Sequence, residues 1–408
     1  MELSSLFSII KRSLLGRILG LTKCYGYNYY KMAHIKNIFM KYKIKLCLYM
    51  LFLVVFIGCA KNNIHDDVKP VNKMVLAYIA GNNDLRAEAI AAIQQLQRGV
   101  KDIDGAFLVF VKLDSRLSYM LKLRFSLANE ITADTLKTYY DENSSDPAFL
   151  KQVIEDSRNL VPAYSYGLIL WSHATSWLPA NQGISTKAFG NDGGAEMDLS
   201  DLKEAIPNGF EFIAFDACYM GSIEVLYELR RKSKYFISSP SEVLASGFPY
   251  QKCARFFFEG LDGLKNVASE YFAFYQNKNG AYSSATISLI DAQYLDDIAI
   301  KTKNILTKGQ EGKLLNTHAQ KLNFQIGSES ISSYDFLDLL EKNFDDSEVQ
   351  MLREVMSKAI IYKANTKFFL NQPLITFSGL SIYYPQDNQD YRQFYNQLSW
   401  QNDTRWLK

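Results

Sequence analysis

Few residues of this chain could act as a nucleophile and its base. The 408 residues include five cysteines and four histidines. A thiol becomes a useful nucleophile only where a base or a positive environment favours its thiolate form. Within the segment that predicts a folded body, the cysteines are Cys218 and Cys253 and the histidines are His173 and His318. Four pairings of a thiol with an imidazole are therefore open.

The local sequence separates these four residues. Cys253 lies in a helix-like apolar segment, where a free cysteine usually packs, and His318 lies in a polar helical stretch. His173 and Cys218 each end a segment that predicts a buried strand. By elimination these two form the candidate pair. The alternative is that each has a purely structural role.

Apolar strands alternate with amphipathic helices from residue 73 to about residue 250. This pattern predicts an α/β fold with a mostly parallel sheet and helices on both faces. Functional groups collect at the carboxyl ends of such strands, which is where His173 and Cys218 fall. A helix directly after Cys218 predicts a lowered thiol pKa. Strands are predicted at 74–80, 107–113, 166–173, 210–218 and 234–239, and helices at 85–100, 147–160 and 219–232.

Longer helices dominate the prediction beyond residue 250. This part either extends the same sheet or forms a helix-rich C-terminal subdomain. We therefore divide the body into a catalytic core, 73–250, and an extension or helical subdomain, 251–408, that completes the fold. Here the helices are predicted at 252–278, 291–308 and 335–362, and the strands at 285–290 and 374–385.

A basic segment and a short apolar run precede the body. The apolar run 46–57 is shorter than the roughly 20 residues that a membrane-spanning helix needs, and lysines precede it. Together they predict a secretory signal peptide over 40–58. The ending Gly58-Cys59 resembles the bacterial lipobox, in which the cysteine becomes the lipidated first residue. An ordinary signal peptide or a single anchor helix is the alternative.

These features predict where the protein acts. We expect Cys59 to hold an exported lipoprotein on a membrane of the bacterial cell envelope, at the outer membrane or the cell surface. Residues 59–72 are polar and predict a tether. Residues 1–39 precede the signal. We interpret them as an N-terminal extension that results from a start codon assigned too far upstream.

The overall charge excludes one class of partner. The chain has 45 basic and 43 acidic residues, so its bulk charge does not predict nucleic-acid binding.

The sequence motifs that bind nucleotide cofactors or zinc are absent from the sequence. Neither GxxxxGK[ST] nor GxGxxG occurs, and no Cys/His cluster suits zinc. We expect a monomer that acts on peptides or proteins and requires no cofactor.

Two sequence blocks resemble the clostripain family of cysteine peptidases, whose fold is related to those of caspases, gingipains and legumain. The blocks are LILWSHATSW (168–177) and FIAFDACYMG (212–221), and GLSIYYP (379–385) resembles a third. The similarity covers about residues 73 to 390. It implies a caspase-like sheet with Cys218 as nucleophile and His173 as general base. The N–H groups of Cys218 and of the residue after His173 would form the oxyanion hole.

Two positions depart from the family pattern, and the one after His173 matters more. The family usually has Asn-His-Gly, whereas this chain has Ser172-His173-Ala174. Alanine still supplies an N–H for the oxyanion hole but tolerates a positive φ poorly. If the turn requires such a φ, the protein would be a weak or inactive lipid-anchored binding or scaffold protein on the same fold. That is the alternative to the interpretation that the sequence favours, an active cysteine endopeptidase that cleaves after Arg or Lys, because both reacting side chains and Asp216 are present.

Asp216 is the candidate for substrate selection. It lies two residues before Cys218 on the same face of its strand, and the resemblance implies that it recognises Arg or Lys before the cleaved bond. Ser239 and Glu242, after the fifth strand, are expected to complete the wall of this S1 pocket. The alternative is that Asp216 caps the following helix.

The long loop between the histidine and the cysteine contains a candidate processing site. Family members are commonly cleaved in this region, and Lys187-Ala188 is a basic site in a glycine-rich stretch. We expect self-cleavage after Lys187, with an ordinary surface loop as the alternative. Oxygen-bearing side chains nearby could bind calcium, although their spacing does not match an EF-hand; they are Asn191, Asp192, Glu196 and Asp198.

Overall fold

One large sheet runs through the described part of the chain. The computed structural model describes residues 69–178, 188–308, 315, 318–324, 332–385 and 391–407. The strands are β1 (Val71–Ala80), β2 (Gly105–Lys112), β3 (Leu117–Leu123), β4 (Ala133–Tyr140), β5 (Ala163–Trp171), β6 (Phe189–Asp192), β7 (Ala195–Met197), β8 (Phe210–Asp216), β9 (Ser233–Ser238), β10 (Thr286–Asp291), β11 (Ser333–Asp335), β12 (Ile360–Asn365), β13 (Phe368–Phe369), β14 (Gln372–Pro373) and β15 (Ser381–Tyr383).

Nine of these described strands form the large sheet, in the order β12-β10-β9-β8-β5-β1-β2-β3-β4. The pairs β9–β8, β8–β5, β5–β1 and β1–β2 are parallel. The outer strands β3, β4, β10 and β12 pair antiparallel. The predicted mostly parallel sheet is therefore confirmed, with antiparallel strands at both edges.

Helices cover both faces of this sheet. Alternate residues of β1 face opposite sides: Leu76 and Tyr78 belong to one apolar cluster, and Ala77 and Ile79 to the other. The helices are α1 (Arg86–Gly99), α2 (Pro147–Leu160), α3 (Leu199–Ala205), α4 (Ile223–Leu229), α5 (Tyr250–Cys253), α6 (Gly260–Gln276), α7 (Leu295–Lys308), α8 (Phe336–Glu341), α9 (Asp346–Ala359), α10 (Arg392–Tyr395) and α11 (Ser399–Thr404).

The start of α2 illustrates why these helices begin where they do. The Asp146 carboxylate accepts a hydrogen bond from the Phe149 N–H, which has no partner within the helix itself. Pro147 occupies the first helical position, where a missing N–H costs nothing. Both features agree with the predicted start of this helix.

The C-terminal half adds strands to the sheet, since β10 and β12 extend it beyond β9. Three predictions for this half are wrong in detail. The single helix predicted over 252–278 is divided into α5 and α6, with a 3₁₀ helix (Ala254–Phe258) between them. The single helix predicted over 335–362 is divided into α8 and α9, because Asp345 caps a new helix with a capping box. The strand predicted over 374–385 is reduced to β15, which pairs with β11 outside the large sheet.

No helix within the described ranges is both long enough and apolar enough to span a membrane.

The register between β5 and β8 positions the candidate pair. Trp171, the last residue of β5, lies opposite Asp216, the last residue of β8. His173 and Cys218 each follow two residues later. Because the strands run parallel, both side chains leave the sheet at the same edge.

A glycine packs the turn after Cys218 against a neighbouring chain segment. The Gly221 N–H donates to the Ser239 carbonyl at 2.9 Å. A Cβ at Gly221 would lie 2.6 Å from the nitrogen of Pro240 and 2.8 Å from the carbonyl carbon of Ser239. Backbone atoms cannot move aside as a flexible side chain can, so this contact requires glycine.

We expect Gly221→Ala to lower the free energy of unfolding by about 3 kcal/mol, because the added methyl forces two packed backbone segments apart. Gly193→Ala is the matched control, since its methyl meets nothing within 4 Å. Its positive φ still costs about 1 kcal/mol. Urea denaturation measures both, and equal losses in the two variants would contradict the packing argument.

Candidate active site

A cavity of about 290 Å³ lies at the edge of the sheet where β5 and β8 end. Its lining includes His173 and Cys218, so the structure brings the two predicted reacting side chains to one cavity. Asp216 and Glu242 also line it. The rest of the wall is largely apolar and includes Leu85, Val243, Leu244 and Leu370.

The Cys218 thiol is held beneath the segment that follows β9. The Val243 N–H donates to Cys218 Sγ at 3.2 Å, and the Val243 carbonyl oxygen lies 3.6 Å from the same sulfur. Burial raises the pKa of Cys218 to about 12, because a thiolate is poorly solvated there. The ground state of this nucleophile is therefore a protonated thiol.

This result overturns the prediction of a lowered thiol pKa. The helix predicted over 219–232 is shorter, and α4 begins only at Ile223. Its first turn is capped by Ser222, whose Oγ accepts from the Val225 N–H. Tyr219 lies between the cysteine and the helix in a left-handed turn, with φ of 62°. The influence of a helix terminus falls off within about one turn, so burial decides the pKa.

Asp84 is an additional residue of the site. His173 Nε2 and Asp84 Oδ1 are 2.7 Å apart, with the imidazole 32% exposed and the carboxylate 79% exposed. The sequence places Asp84 in the loop after β1, which pairs directly with β5. Its place at the carboxyl end of a strand, like that of His173, predicts that the two lie at the same edge of the sheet, but it gives no indication of a hydrogen bond.

The loop that carries Asp84 is fixed by its two asparagines. Asn83 Nδ2 donates to the Ala80 and Asn191 carbonyls, and its Oδ1 accepts from the Leu85 N–H. Asn82 Nδ2 donates to Asp192 Oδ1 at 2.5 Å. The hairpin of β6 and β7 therefore packs against the loop that contacts His173.

Asp216 lies in the cavity wall and is almost completely buried. Its Oδ2 accepts from the Phe248 N–H at 3.1 Å and from the Tyr250 hydroxyl at 2.8 Å. Burial raises the pKa of this carboxyl to about 6, although the two hydrogen bonds act in the opposite direction. Because Ser222 caps α4, Asp216 does not have the capping role that the sequence left open.

Gly247 allows the backbone to approach this carboxylate. Its φ is +58°, and a Cβ at this position would lie 2.6 Å from Asp216 Oδ2. A side chain here would displace the carboxylate or the segment above it. This glycine is not among the site residues predicted from the sequence.

Ser239 and Glu242 occupy different environments. Ser239 is fully buried and does not line the cavity. Its Oγ lies 2.7 Å from Thr286 Oγ1 and donates to the Ser241 carbonyl. It therefore shapes the turn after β9, which corrects its expected place in the pocket wall. Glu242 does line the cavity, and its Oε1 accepts from the Phe324 N–H at 2.7 Å.

The alanine after His173 fits its backbone without strain. Ala174 is not among the described residues with positive φ, so the replacement of glycine does not distort the turn. The His173 carbonyl accepts from the Gly190 N–H at 2.9 Å. Among the described residues, no group accepts the N–H of Ala174 or of Cys218. Cys218 lines the cavity, whereas Ala174 is buried and does not line it.

The predicted processing site lies at the boundary of the described chain. Lys187 is outside the described residues. Ala188 is fully buried, and β6 begins at the next residue. A chain cleaved after Lys187 would therefore begin directly beside a packed strand.

The residues considered for calcium are otherwise engaged. Asp192 Oδ2 accepts from the Ser144 N–H at 2.6 Å and lies 3.7 Å from Lys112 Nζ. No group of three or more His, Cys, Asp or Glu side chains with metal-binding geometry occurs where the structure describes the chain. Calcium binding at these residues stays a prediction.

Comparisons with known proteins agree with this fold. The family model described as the clostripain family matches residues 77–408. Clostripain from Hathewaya histolytica is 24% identical over 213 residues, which cover 44% of this chain and 40% of clostripain. The chain thus spans less than half the length of this curated relative.

Two solved structures match this chain over nearly all of their own length. An inactive zymogen C11 protease from Parabacteroides distasonis is 29% identical, with a TM-score of 0.72 over 83% of this chain and 99% of its own. A secreted C11 cysteine protease from Bacteroides thetaiotaomicron, in complex with an irreversible peptide inhibitor, is 26% identical. Its TM-score is 0.70 over 83% of this chain and 100% of its own.

The matched span includes the whole sheet from Ala77 onward and every residue of the cavity described above. The predicted resemblance is confirmed: this chain belongs to the clostripain family of cysteine proteases.

Proposed function

We propose that the protein is a cysteine endopeptidase that cleaves after Arg or Lys through a Cys218–His173 dyad. The observation that carries this proposal is the cavity shared by Cys218, His173 and the buried carboxyl of Asp216. A nucleophile, a base and an anionic recognition group at one strand edge are what such a reaction needs. The proposed reaction uses side chains of this chain alone and needs no cofactor.

A thiol with a raised pKa needs a base, and His173 would be that base. With Nε2 donating to Asp84, the ring keeps its lone pair on Nδ1, which can accept the thiol proton. Sγ then attacks the substrate carbonyl carbon as that proton leaves. The imidazolium returns the proton to the departing amine, leaving an acyl-enzyme that water hydrolyses.

Two backbone donors would stabilise the developing oxyanion. The N–H groups of Ala174 and Cys218 follow the ends of neighbouring parallel strands. Donors fixed in the backbone need no reorganisation when charge develops on the carbonyl oxygen. Because Ala174 has no positive φ, the backbone reason for an inactive scaffold protein no longer applies.

Asp216 would recognise the basic side chain before the cleaved bond. At neutral pH a carboxyl with a pKa of about 6 is mostly ionised, yet it is buried in the cavity wall. A substrate ammonium or guanidinium would neutralise this charge through a charge-assisted hydrogen bond. An acidic substrate side chain would meet electrostatic repulsion instead.

Self-processing and membrane attachment complete the proposal. Cleavage after Lys187 fits the same basic specificity, because Lys187 supplies the side chain that Asp216 would bind. Cys59, which lies outside the described residues, would carry the lipid of an exported, monomeric lipoprotein of the cell envelope. The lysine-flanked apolar run that ends at Gly58-Cys59 supports this location.

Peptides ending in Arg or Lys before a fluorogenic leaving group test the dyad. We expect the mature protein to cleave them and Cys218→Ala to lose at least about 10³-fold in kcat/KM, since Cys218 is the only thiol among the described residues that line the cavity. Peptides ending in Asp should remain uncut. Equal signals from the two proteins would refute the peptidase.

Asp84→Ala, measured with the same fluorogenic peptides, tests whether Asp84 positions His173. If Asp84 only positions His173, kcat falls about ten- to a hundredfold with little change in KM. Asp84→Asn should restore part of the loss, because its amide oxygen can still accept the Nε2–H.

Asp216→Asn is expected to separate stability from activity. Ionising Asp216 is harder in the folded protein, so its neutral form stabilises the fold below about pH 4 and this contribution is lost as the pH rises through 6. Between pH 4 and pH 7.5, the unfolding free energy of the variant should rise relative to that of the wild type by about 2 kcal/mol. Its kcat/KM on Lys peptides should fall by about 10² or more. A pH-independent stability difference would count against a buried charge.

Lys187→Ala tests processing. The wild-type precursor should mature into two chains, whereas Lys187→Ala and Cys218→Ala should remain single on a denaturing gel. Added wild-type enzyme should cut the Cys218→Ala chain but not the Lys187→Ala chain at this site, because only the former retains the basic residue. Maturation of Lys187→Ala at the same position would rule out the assignment.

A further inference from the structure

A strained turn lies at the rim of the active-site cavity. The strands β13 and β14 form a hairpin in which Phe369 pairs with Gln372, so the turn consists of Leu370 and Asn371. Both have positive φ, 43° and 67°. A two-residue hairpin turn with two positive φ values favours Asn and Gly. Asn371 suits its position, whereas a leucine in this conformation is unfavourable.

Surrounding contacts hold the leucine in place. The Leu370 N–H donates to Ser284 Oγ at 2.8 Å. Its side chain packs against a small apolar cluster in which the rings of Phe324 and Phe369 stack with centroids 4.6 Å apart. Strain that persists under such support is frequent at functional sites.

The same cluster connects the turn to the cavity wall. Glu242, which lines the cavity, accepts the Phe324 N–H at 2.7 Å. Leu370 itself lines the cavity together with Cys218 and Asp216. The hairpin therefore holds the aliphatic residue Leu370 in the wall of the cavity that Cys218 also lines.

The wall has two chemically different parts. Asp216 is suited to a cation, whereas Leu370, Val243 and Leu244 offer only apolar surface. An apolar wall gains nothing from a charged side chain, which would lose its hydration there. A second, apolar side chain of the same peptide would gain from burial against it.

We propose that Leu370 is a specificity-determining residue that contacts an apolar substrate side chain within two residues of the basic residue bound by Asp216. This inference rests on the proposed peptidase function. It defines the preferred substrate as a peptide in which a large aliphatic or aromatic residue lies close to the cleaved Arg or Lys.

Leu370→Asn provides the test, because asparagine suits a positive φ but removes the apolar contact. Peptides with a fixed Lys at the cleaved bond would vary one neighbouring position at a time among Ala, Leu and Glu. For one position, we expect the wild type to favour Leu over Ala by about tenfold in kcat/KM. In Leu370→Asn the ratio should fall to about twofold or less, with a melting temperature equal to or above that of the wild type.

Leu127→Asn is the matched control, since Leu127 is 73% exposed in the loop between β3 and β4. It should keep the wild-type preference for Leu. A wild type that cleaves Lys peptides without any neighbouring preference would overturn the inference and leave the proposed function standing. A preference that persists in Leu370→Asn would overturn it equally. If the wild type cleaves no basic peptide, the inference fails together with the proposed function.

Discussion

The parallel pairing of β5 with β8 is the constraint on which the site depends. Trp171 lies opposite Asp216, and the chain leaves the sheet after each of them at the same edge. His173 and Cys218 each come two residues after the end of their strand. The hydrogen bonds that pair the two strands therefore bring them to the same edge of the sheet. A register slip of one residue would turn one of the two side chains to the opposite face. The site is therefore as well defined as the sheet itself.

A single segment after β9 controls the charges at this edge. Val243 contacts the Cys218 sulfur, and the N–H of Phe248 contacts the Asp216 carboxylate. Asp216 is buried and Cys218 is partly buried, and loss of solvation raises the pKa of each. The thiol consequently stays protonated until a base removes its proton, whereas the carboxyl is ionised at neutral pH. In the proposed mechanism, this shared effect explains why the nucleophile needs His173 and why the wall favours a cation.

The sequence predicts the parts of this arrangement that repeat regularly. Apolar strands and their polar ends identified the parallel sheet and the pair His173 and Cys218, because strand ends in such a sheet gather at one edge. The thiol pKa was predicted wrongly, since the length of the turn before α4 and the cover supplied by Val243 are not visible in a local pattern. Gly247, Asp84 and Leu370 depend on contacts between distant segments, which a single sequence does not display.

The central claim is that Cys218 and His173 act together on a peptide whose basic side chain is bound by Asp216. A crystal structure of the protein treated with a peptidyl ketone inhibitor ending in lysine tests it most directly. We predict a covalent bond from Cys218 Sγ, the His173 ring within about 4 Å of that sulfur, and the lysine ammonium about 3 Å from the Asp216 carboxylate. A lysine side chain bound away from Asp216, or an adduct with His173 more than about 7 Å from the sulfur, would contradict the claim.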